Sequence, residues 1–221
     1  MVGQGQLDFA FLMGYLHTVI AQIEDPRQPS NNTQYTIKDA LLSAFSVFFI
    51  QCESFLQHQR LLQTRKGKDN AQTLFGVEQI PSDNQIRNIL DGISAAVLFP
   101  IFSWVYQALK AGGHLAAYQC NECNLLLTLD GTEYFSSQKI NCACCSHRTR
   151  KNGKVTYFHS AITPVIVAPG NEQVIALTSE LITPQDGHHK QDCEQAAAKR
   201  WITAHGAEFE DTPVTLLGDD L

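Results

Sequence analysis

Two aspartates that follow apolar, strand-like runs are the residues of this sequence best placed to hold a divalent cation. Asp130 follows the run LLLTL, and Asp219 follows VTLLG, 89 residues later. Adjacent carboxylates repel each other unless a cation lies between them, and oxygen ligands favour Mg²⁺ or Mn²⁺. Such a site can clamp the attacking and leaving oxygens of a phosphodiester. Two alternatives stay open: Asp130-Gly131 is also a turn former, and Asp220 could replace Asp219.

The cysteines predict a second kind of metal site. Cys120-x2-Cys123 is followed after 18 residues by Cys142-x2-Cys145, which is the spacing of a four-cysteine structural zinc site. Cys144 and His147 are further ligand candidates in the same stretch. Catalytic zinc is disfavoured, because four thiolates leave no open coordination position. The alternative is a set of reduced, partly buried thiols in an insertion.

A basic stretch lies close to the second cysteine pair. Between residues 139 and 154 the sequence contains no acid, and we predict that its cations neutralise DNA phosphates beside the acidic site. The alternative is a solvated loop. The cations are Lys139, Arg148, Arg150, Lys151 and Lys154.

The elements that must position these groups follow from the pattern after Gly113. Extended runs are predicted over 124–135, 155–170 and 172–182, followed by a helix over 191–205 and a strand over 212–221. The string APGNE joins the second and third runs and predicts a hairpin turn between them. In this β-β-β-α-β order the last strand lies parallel to the first, joined by a right-handed crossover through the helix. That pairing brings Asp130 and Asp219 side by side.

Residues 1–113 read as all-helical. Apolar periodicity predicts helices over 7–23, 37–63 and 93–110, with a shorter helix that begins after Pro81 and a basic loop over 64–70. Thr36 and Asp39 have the spacing of a helix-capping pair. The last helix is predicted to end at Gly112-Gly113.

The composition is that of a globular chain. The 221 residues carry a net charge of −6, with 44% hydrophobic and 17% charged residues, which excludes wholesale disorder and a uniformly basic nucleic-acid binder. No secretory signal is visible, and the apolar run 40–50 is too short to span a bilayer. We therefore expect a cytoplasmic protein. Nucleotide-binding and serine-hydrolase motifs are absent.

Several strings together resemble one group of bacterial DDE-type insertion-sequence transposases. They include IPSDNQIRNILD, LDGTEYFSSQKINC, a Cys-rich basic loop that ends KNG, ITPQDGHHKQDCEQAAAKRW and TLLGDDL. The likeness runs from about residue 37 to 221, and DGTEYFSS followed at a distance by QDGHHKQDCE is its most specific part.

The resemblance implies an α+β or α/β chain: a helical region (1–113) that binds transposon-end DNA, then an incomplete ribonuclease-H-like core (114–221) with a Cys-rich insertion (140–154). It implies Mg²⁺-dependent cleavage and joining of DNA strands by dimers or larger complexes, with Asp130 as first and Asp219 as second catalytic acid. It also implies a bacterial protein that is nucleoid-associated when on DNA. The third acid, a downstream Glu, has no counterpart here. We therefore expect a truncated transposase; the alternatives are an inactive DNA-binding or regulatory fragment, or a zinc-ribbon nucleic-acid-binding module.

Overall fold

The computed structural model describes residues 7–28, 33–120, 123–184 and 193–218. The chain divides into two compact units, Gln6–Ile101 and Phe102–Leu221. The first is helical and the second contains the described strands, so the chain is mixed α+β. This division falls twelve residues before the boundary predicted at Gly113, because most of the last helix of the predicted helical region belongs to the sheet-containing unit.

Short helices build the first unit. Thr36 and Asp39 form the predicted capping box at the start of its second helix. The Asp39 carboxylate is 97% buried and also accepts hydrogen bonds from the backbone N–H groups of Glu78 and Gln79 at 2.8 and 3.1 Å. One side chain therefore joins a helix start to a distant loop. The helices are α1 Phe9–Ile20, α2 Ile37–Phe49, α3 Phe55–Leu62, α4 Arg65–Asn70 and α5 Asp83–Leu90.

Two sequence predictions in this unit were wrong. The helix expected over 37–63 is two helices, α2 and α3, because Gln51 takes a left-handed conformation (φ 57°) and Ser54 caps a new helix. The loop expected over 64–70 is instead α4, which Thr64 caps. In both places a Ser or Thr side chain accepts a backbone N–H and so begins a helix.

The second unit begins within α6 (Phe99–Ala111), which ends as predicted before Gly112 and Gly113. Gly113 has φ 73°, a left-handed conformation that favours glycine at the end of a helix. One further helix, α7 (Glu194–His205), lies among the strands. The strands are β1 Gln119–Cys120, β2 Asn124–Thr128, β3 Gly131–Ser137, β4 Ser146–Thr149, β5 Val155–Ile162, β6 Val165–Val167, β7 Ile175–Ala176, β8 Glu180–Ile182 and β9 Val214–Leu217.

The three extended runs predicted from the sequence are present, but each is divided between two sheets. The first breaks at Asp130 into β2 and β3, the second at Pro164 into β5 and β6, and the third into β7 and β8. In the described residues, one sheet has the order β1-β2-β6-β7, with β9 also paired to β2. The other has the order β3-β5-β4, with β8 paired to β5. The hairpin predicted around APGNE is confirmed as the antiparallel pair β6–β7.

The pairing of β9 with β2 is parallel, as the β-β-β-α-β order predicted. Leu125 is opposite Val214 and Thr128 is opposite Leu217, while the other described strand pairs of the unit are antiparallel. Parallel strands cannot be joined by a tight turn and need a long crossover connection. Here the connection from β8 to β9 contains α7.

The core of this unit is formed where α6 and α7 cover the sheet. Leu125 and Leu127 of β2 are buried together with Tyr106 of α6 and Trp201 of α7. The Trp201 indole N–H also donates a hydrogen bond of 2.6 Å to the backbone carbonyl of Thr178. Trp201 therefore fixes the crossover helix on both the central strand and the segment between β7 and β8.

In the part of the chain that the structure describes, no single helix has the length and apolar character needed to cross a membrane. One bent pair, Asp83–Leu90 with Ala95–Ala111, meets the length and composition criteria together.

Trp201→Ala should destabilise the sheet-containing unit by about 3–5 kcal/mol, the usual cost of removing a buried tryptophan. Urea unfolding followed by far-ultraviolet circular dichroism measures the loss. Ile202→Ala, which truncates the next side chain at a position that is 40% exposed, is the control and should cost less than about 1 kcal/mol. Equal effects of the two substitutions would contradict the packing of α7.

Candidate functional site

Asp130 lies at the bend where β2 leaves one sheet and β3 enters the other. Its side chain is exposed, but its backbone is fixed on two sides. The N–H of Leu129 donates to the carbonyl of Leu217 at 3.0 Å, and the N–H of Thr163 donates to the carbonyl of Asp130 at 3.0 Å. The carboxylate therefore extends into solvent from a rigid position.

β2 and β9 end at the same level in the sheet, and each of the two predicted acids follows one of these strand ends. Asp130 is the second residue after Thr128, and Asp219 is the second residue after Leu217, the β9 partner of Thr128. Asp219 and Asp220 themselves lie outside the described residues, as does Asp186 with its two neighbouring histidines in the QDGHHKQDCE segment.

A carboxylate that the sequence analysis did not single out lies against the residue after Asp130. Glu194 is the first residue of α7. A Cβ placed on Gly131 would come within 2.1 Å of a Glu194 carboxylate oxygen, so the two residues touch only because position 131 has no side chain. Glu194 is the last residue of the string QDCE, but the sequence does not show that it lies against Gly131. Only the packing of α7 shows this contact.

Three of the five predicted DNA-binding cations lie at one hairpin tip. We call residues 150–154, between β4 and β5, the basic turn; it contains Arg150, Lys151 and Lys154, all exposed. The Arg150 N–H donates to the Lys154 carbonyl at 2.9 Å, and Gly153 supplies the left-handed residue (φ 79°). The turn thus presents three cations on a closed, hydrogen-bonded hairpin.

The remaining two cations are placed differently. Arg148 lies on β4 and makes two hydrogen bonds, of 2.8 and 3.1 Å, to the carboxylate of Glu133 on β3. Its guanidinium also lies 4.9 Å from the ring centroid of Phe158 on β5. Lys139 is exposed in the loop between β3 and β4. Arg148 is therefore less available to DNA than the cations of the basic turn.

The basic turn does not lie beside Asp130, which corrects the sequence prediction. The two are at opposite ends of β5, since Lys154 precedes its first residue and Thr163, the partner of Asp130, follows its last. Nine residues of extended chain span about 30 Å. This distance is several Debye lengths at physiological salt, so the cations cannot neutralise charge at Asp130 itself.

The cysteines are grouped differently from the four-cysteine prediction. The sulfurs of Cys142 and Cys145 are 3.7 Å apart, and each lies 3.3 Å from Nε2 of His159 on β5. We call these residues the thiol–imidazole cluster. Among the described residues, this is the one group of three or more Cys, His, Asp and Glu side chains whose ligand atoms lie together.

Cys120 and Cys123 are outside this cluster. Cys120 pairs with Asn124 at the start of β2, whereas His159 pairs with Phe135 near the end of β3. The whole of β2, the bend at Asp130 and most of β3 separate these positions. Cys144 is exposed in the same loop as Cys142, and His147 is an exposed residue of β4 opposite Tyr157.

His159 is the cluster member that the sequence analysis missed. The signal was present, because a histidine follows the second Cys-x2-Cys pair by fourteen residues, but only the pairing of β4 with β5 places it there. Tyr134 stacks on its ring at 5.8 Å, and Phe135 lies at 5.5 Å. Burial raises the pKa of the Cys145 thiol, partly offset by a hydrogen bond from the Cys142 N–H.

Comparisons of the chain with protein-family models, with curated proteins and with solved structures found no match.

Gly131→Ala should displace the Glu194 carboxylate and destabilise the protein by about 1–2 kcal/mol, because the added methyl overlaps it. Adding Glu194→Ala should remove most of this cost, which a double-mutant cycle of unfolding free energies measures. Gly206→Ala, where an added Cβ meets nothing within 4 Å, is the control. Additive effects at 131 and 194 would argue against the contact.

Proposed function

We propose that this chain carries the DNA-binding and first catalytic segments of a DDE-type transposase, with a ribonuclease-H-like core that includes the β2–β9 pair. The complete protein would bind transposon-end DNA, cut a strand to release a 3′-hydroxyl and join that hydroxyl to target DNA. Asp130 and Asp219 would be the metal-binding carboxylates. The support comes from the resemblance of the quoted motifs and from one structural observation.

That observation is the parallel register of β2 and β9. Acids that meet from distant parts of a chain need neighbouring strands whose carboxyl ends coincide, and parallel pairing provides this. Here Thr128 is opposite Leu217, and each predicted acid is the second residue beyond its strand. An antiparallel or shifted pairing would have separated the two positions, so the register agrees with a shared site.

The carboxylates that follow β2 and β9 are donors that fit a magnesium ion. Carboxylate oxygens are the hard ligands that Mg²⁺ prefers, and Mg²⁺ keeps several water ligands, which requires a site open to solvent. Asp130 is exposed at the bend and satisfies that requirement. The Cys and His donors lie elsewhere, at the thiol–imidazole cluster. Bound Mg²⁺ would supply charge neutralisation and activation of the attacking oxygen.

The chain's own contribution at this site is positioning. Hydrogen bonds to the backbone at Leu129 and Asp130 hold the acid in place, so little freedom remains to be lost when substrate binds. Thr132 and Thr163 reinforce the bend through a 3.3 Å contact between their hydroxyl groups. No covalent intermediate on the protein is expected.

The basic turn fits a DNA contact at a distance from the chemistry. About 30 Å along β5 corresponds to roughly nine base pairs of B-DNA at about 3.4 Å each. A duplex that reaches Asp130 could therefore contact the turn almost one helical turn away. The overall charge of −6 makes such a local cationic surface necessary for binding phosphate.

In a protein that also carries the third acid, Asp130→Asn should abolish Mg²⁺-dependent nicking of transposon-end DNA while leaving binding of that DNA unchanged. The amide keeps the shape of the side chain but removes the charge that a cation requires. The DNA that flanks the coding sequence serves as substrate in nicking and gel-shift assays. Glu172→Gln, an exposed carboxylate in the β6–β7 turn, is the matched control.

Nicking by Asp130→Asn at the wild-type rate would refute the assignment of Asp130. Specific binding of the flanking DNA without nicking by the unaltered chain would instead favour the regulatory, DNA-binding alternative. Absence of specific binding would contradict the transposase proposal.

Lys151→Ala combined with Lys154→Ala should weaken DNA binding similarly for all sequences. Each lost phosphate contact should reduce the magnitude of the slope of log affinity against log salt concentration by about 0.9. In the double variant this magnitude should therefore fall by up to about 2. Fluorescence anisotropy across a salt series measures this slope. Lys199→Ala, compared with Lys151→Ala alone, removes one exposed charge elsewhere in the sheet-containing unit, and an equal change in that control would rule out a local contact.

A further inference from the structure

The thiol–imidazole cluster brings together three good metal-ligating atoms from two segments of the chain. Cys142 and Cys145 precede β4, while His159 lies on β5. Both cysteines are free thiols. Three donors that converge in this way from a loop and a neighbouring strand have no evident packing purpose, because the apolar clusters of this unit do not include them.

The distances between the donors match the edges of a tetrahedral zinc site. Zn–S bonds of about 2.3 Å and Zn–N bonds of about 2.0–2.1 Å place two sulfurs about 3.8 Å apart and a sulfur and a nitrogen about 3.6 Å apart. The observed sulfur–sulfur distance is 3.7 Å, and both sulfur–nitrogen distances are 3.3 Å. Movements of a few tenths of an ångström would complete the coordination.

The surroundings hold the donors in this arrangement. The Cys145 N–H donates to the Cys142 carbonyl at 3.2 Å, and the Cys142 N–H donates to the Cys145 sulfur at 3.3 Å. Cys145 is only 7% exposed. The His159 ring is flanked by the aromatic rings of Tyr134 and Phe135. A ligand set on a tight turn and a central strand needs little reorganisation to bind an ion.

We propose that Cys142, Cys145 and His159 bind one zinc ion that fastens the loop before β4 to β5. Thiolate and imidazole donors select zinc over the hard cations that carboxylates bind. Three protein ligands leave one tetrahedral position, which water can fill. The ion replaces the thiol protons, which are released to solvent.

The expected consequence is a rigid β4–β5 hairpin. β4 is a strand of four residues with a single partner among the described strands, β5, and such an edge strand has little stability of its own. A metal cross-link immediately before its first residue holds the strand in register and thereby orients the basic turn at the other end of the hairpin.

Zinc binding is tested with the purified full chain, freed of metal and titrated with Co²⁺ and then Zn²⁺. We expect one Co²⁺ per chain, with the visible bands of tetrahedral coordination and the ultraviolet band of sulfur-to-cobalt charge transfer, and displacement of Co²⁺ by Zn²⁺. Cys142→Ser and His159→Gln should each lower the affinity by more than about 100-fold, since loss of a group that only hydrogen-bonds to a metal ligand already costs about 10- to 100-fold. Because Cys142 is exposed, its substitution should leave the metal-free fold intact, which circular dichroism checks.

The double variant Cys120→Ser, Cys123→Ser is the matched control, because it tests the four-cysteine site predicted from spacing. It should bind Co²⁺ as tightly as the unaltered chain. Failure of the unaltered chain to bind Co²⁺ or Zn²⁺ at micromolar concentration would overturn the proposal, as would loss of binding in this control. Asp130→Asn should bind zinc normally, so the zinc site and the proposed DNA chemistry can fail independently.

Discussion

The parallel pairing of β9 with β2 is the constraint on which the rest of the sheet-containing unit depends. It joins segments that are far apart in the sequence, and it requires the intervening chain to cross the sheet through α7. Trp201 makes that crossover stable by packing on Leu125 and Leu127. The same placement of α7 puts Glu194 against Gly131. Packing of one helix therefore fixes both the strand register and the surroundings of Asp130.

The bends in the strands determine how the chemical groups are distributed. The second extended run turns into the other sheet after β5, and β5 itself carries different chemical groups along its length. The basic turn lies before its first residue, His159 lies within it, and Thr163, which binds the backbone of Asp130, follows it. Separation of about 30 Å between the ends is large compared with the Debye length. On the proposed function, the cationic and acidic surfaces would therefore act on different parts of a DNA ligand.

The two proposed metal sites differ in donor chemistry and so would select different ions. Carboxylates beyond β2 and β9 suit a hydrated, exchangeable Mg²⁺. The thiols and imidazole of Cys142, Cys145 and His159 suit zinc. The soft donors are 3.3–3.7 Å apart already. One site would serve reaction chemistry and the other would hold the hairpin that carries the basic turn.

Local signals in the sequence determined the Thr36–Asp39 capping box, the end of α6 before Gly113, the β6–β7 hairpin and the order of extended and helical segments along the chain. Caps, glycines and apolar periodicity act over a few residues, so these features can be read without the tertiary structure. The break after α2 and the helix α4 were missed although their signals are also local, because Ser54 and Thr64 each cap a helix start. Only the tertiary structure decided that His159 lies beside the second cysteine pair. It also decided that the basic turn lies far from Asp130. Those outcomes depend on strand register and on the bends between two sheets, which arise from contacts between residues far apart in the chain.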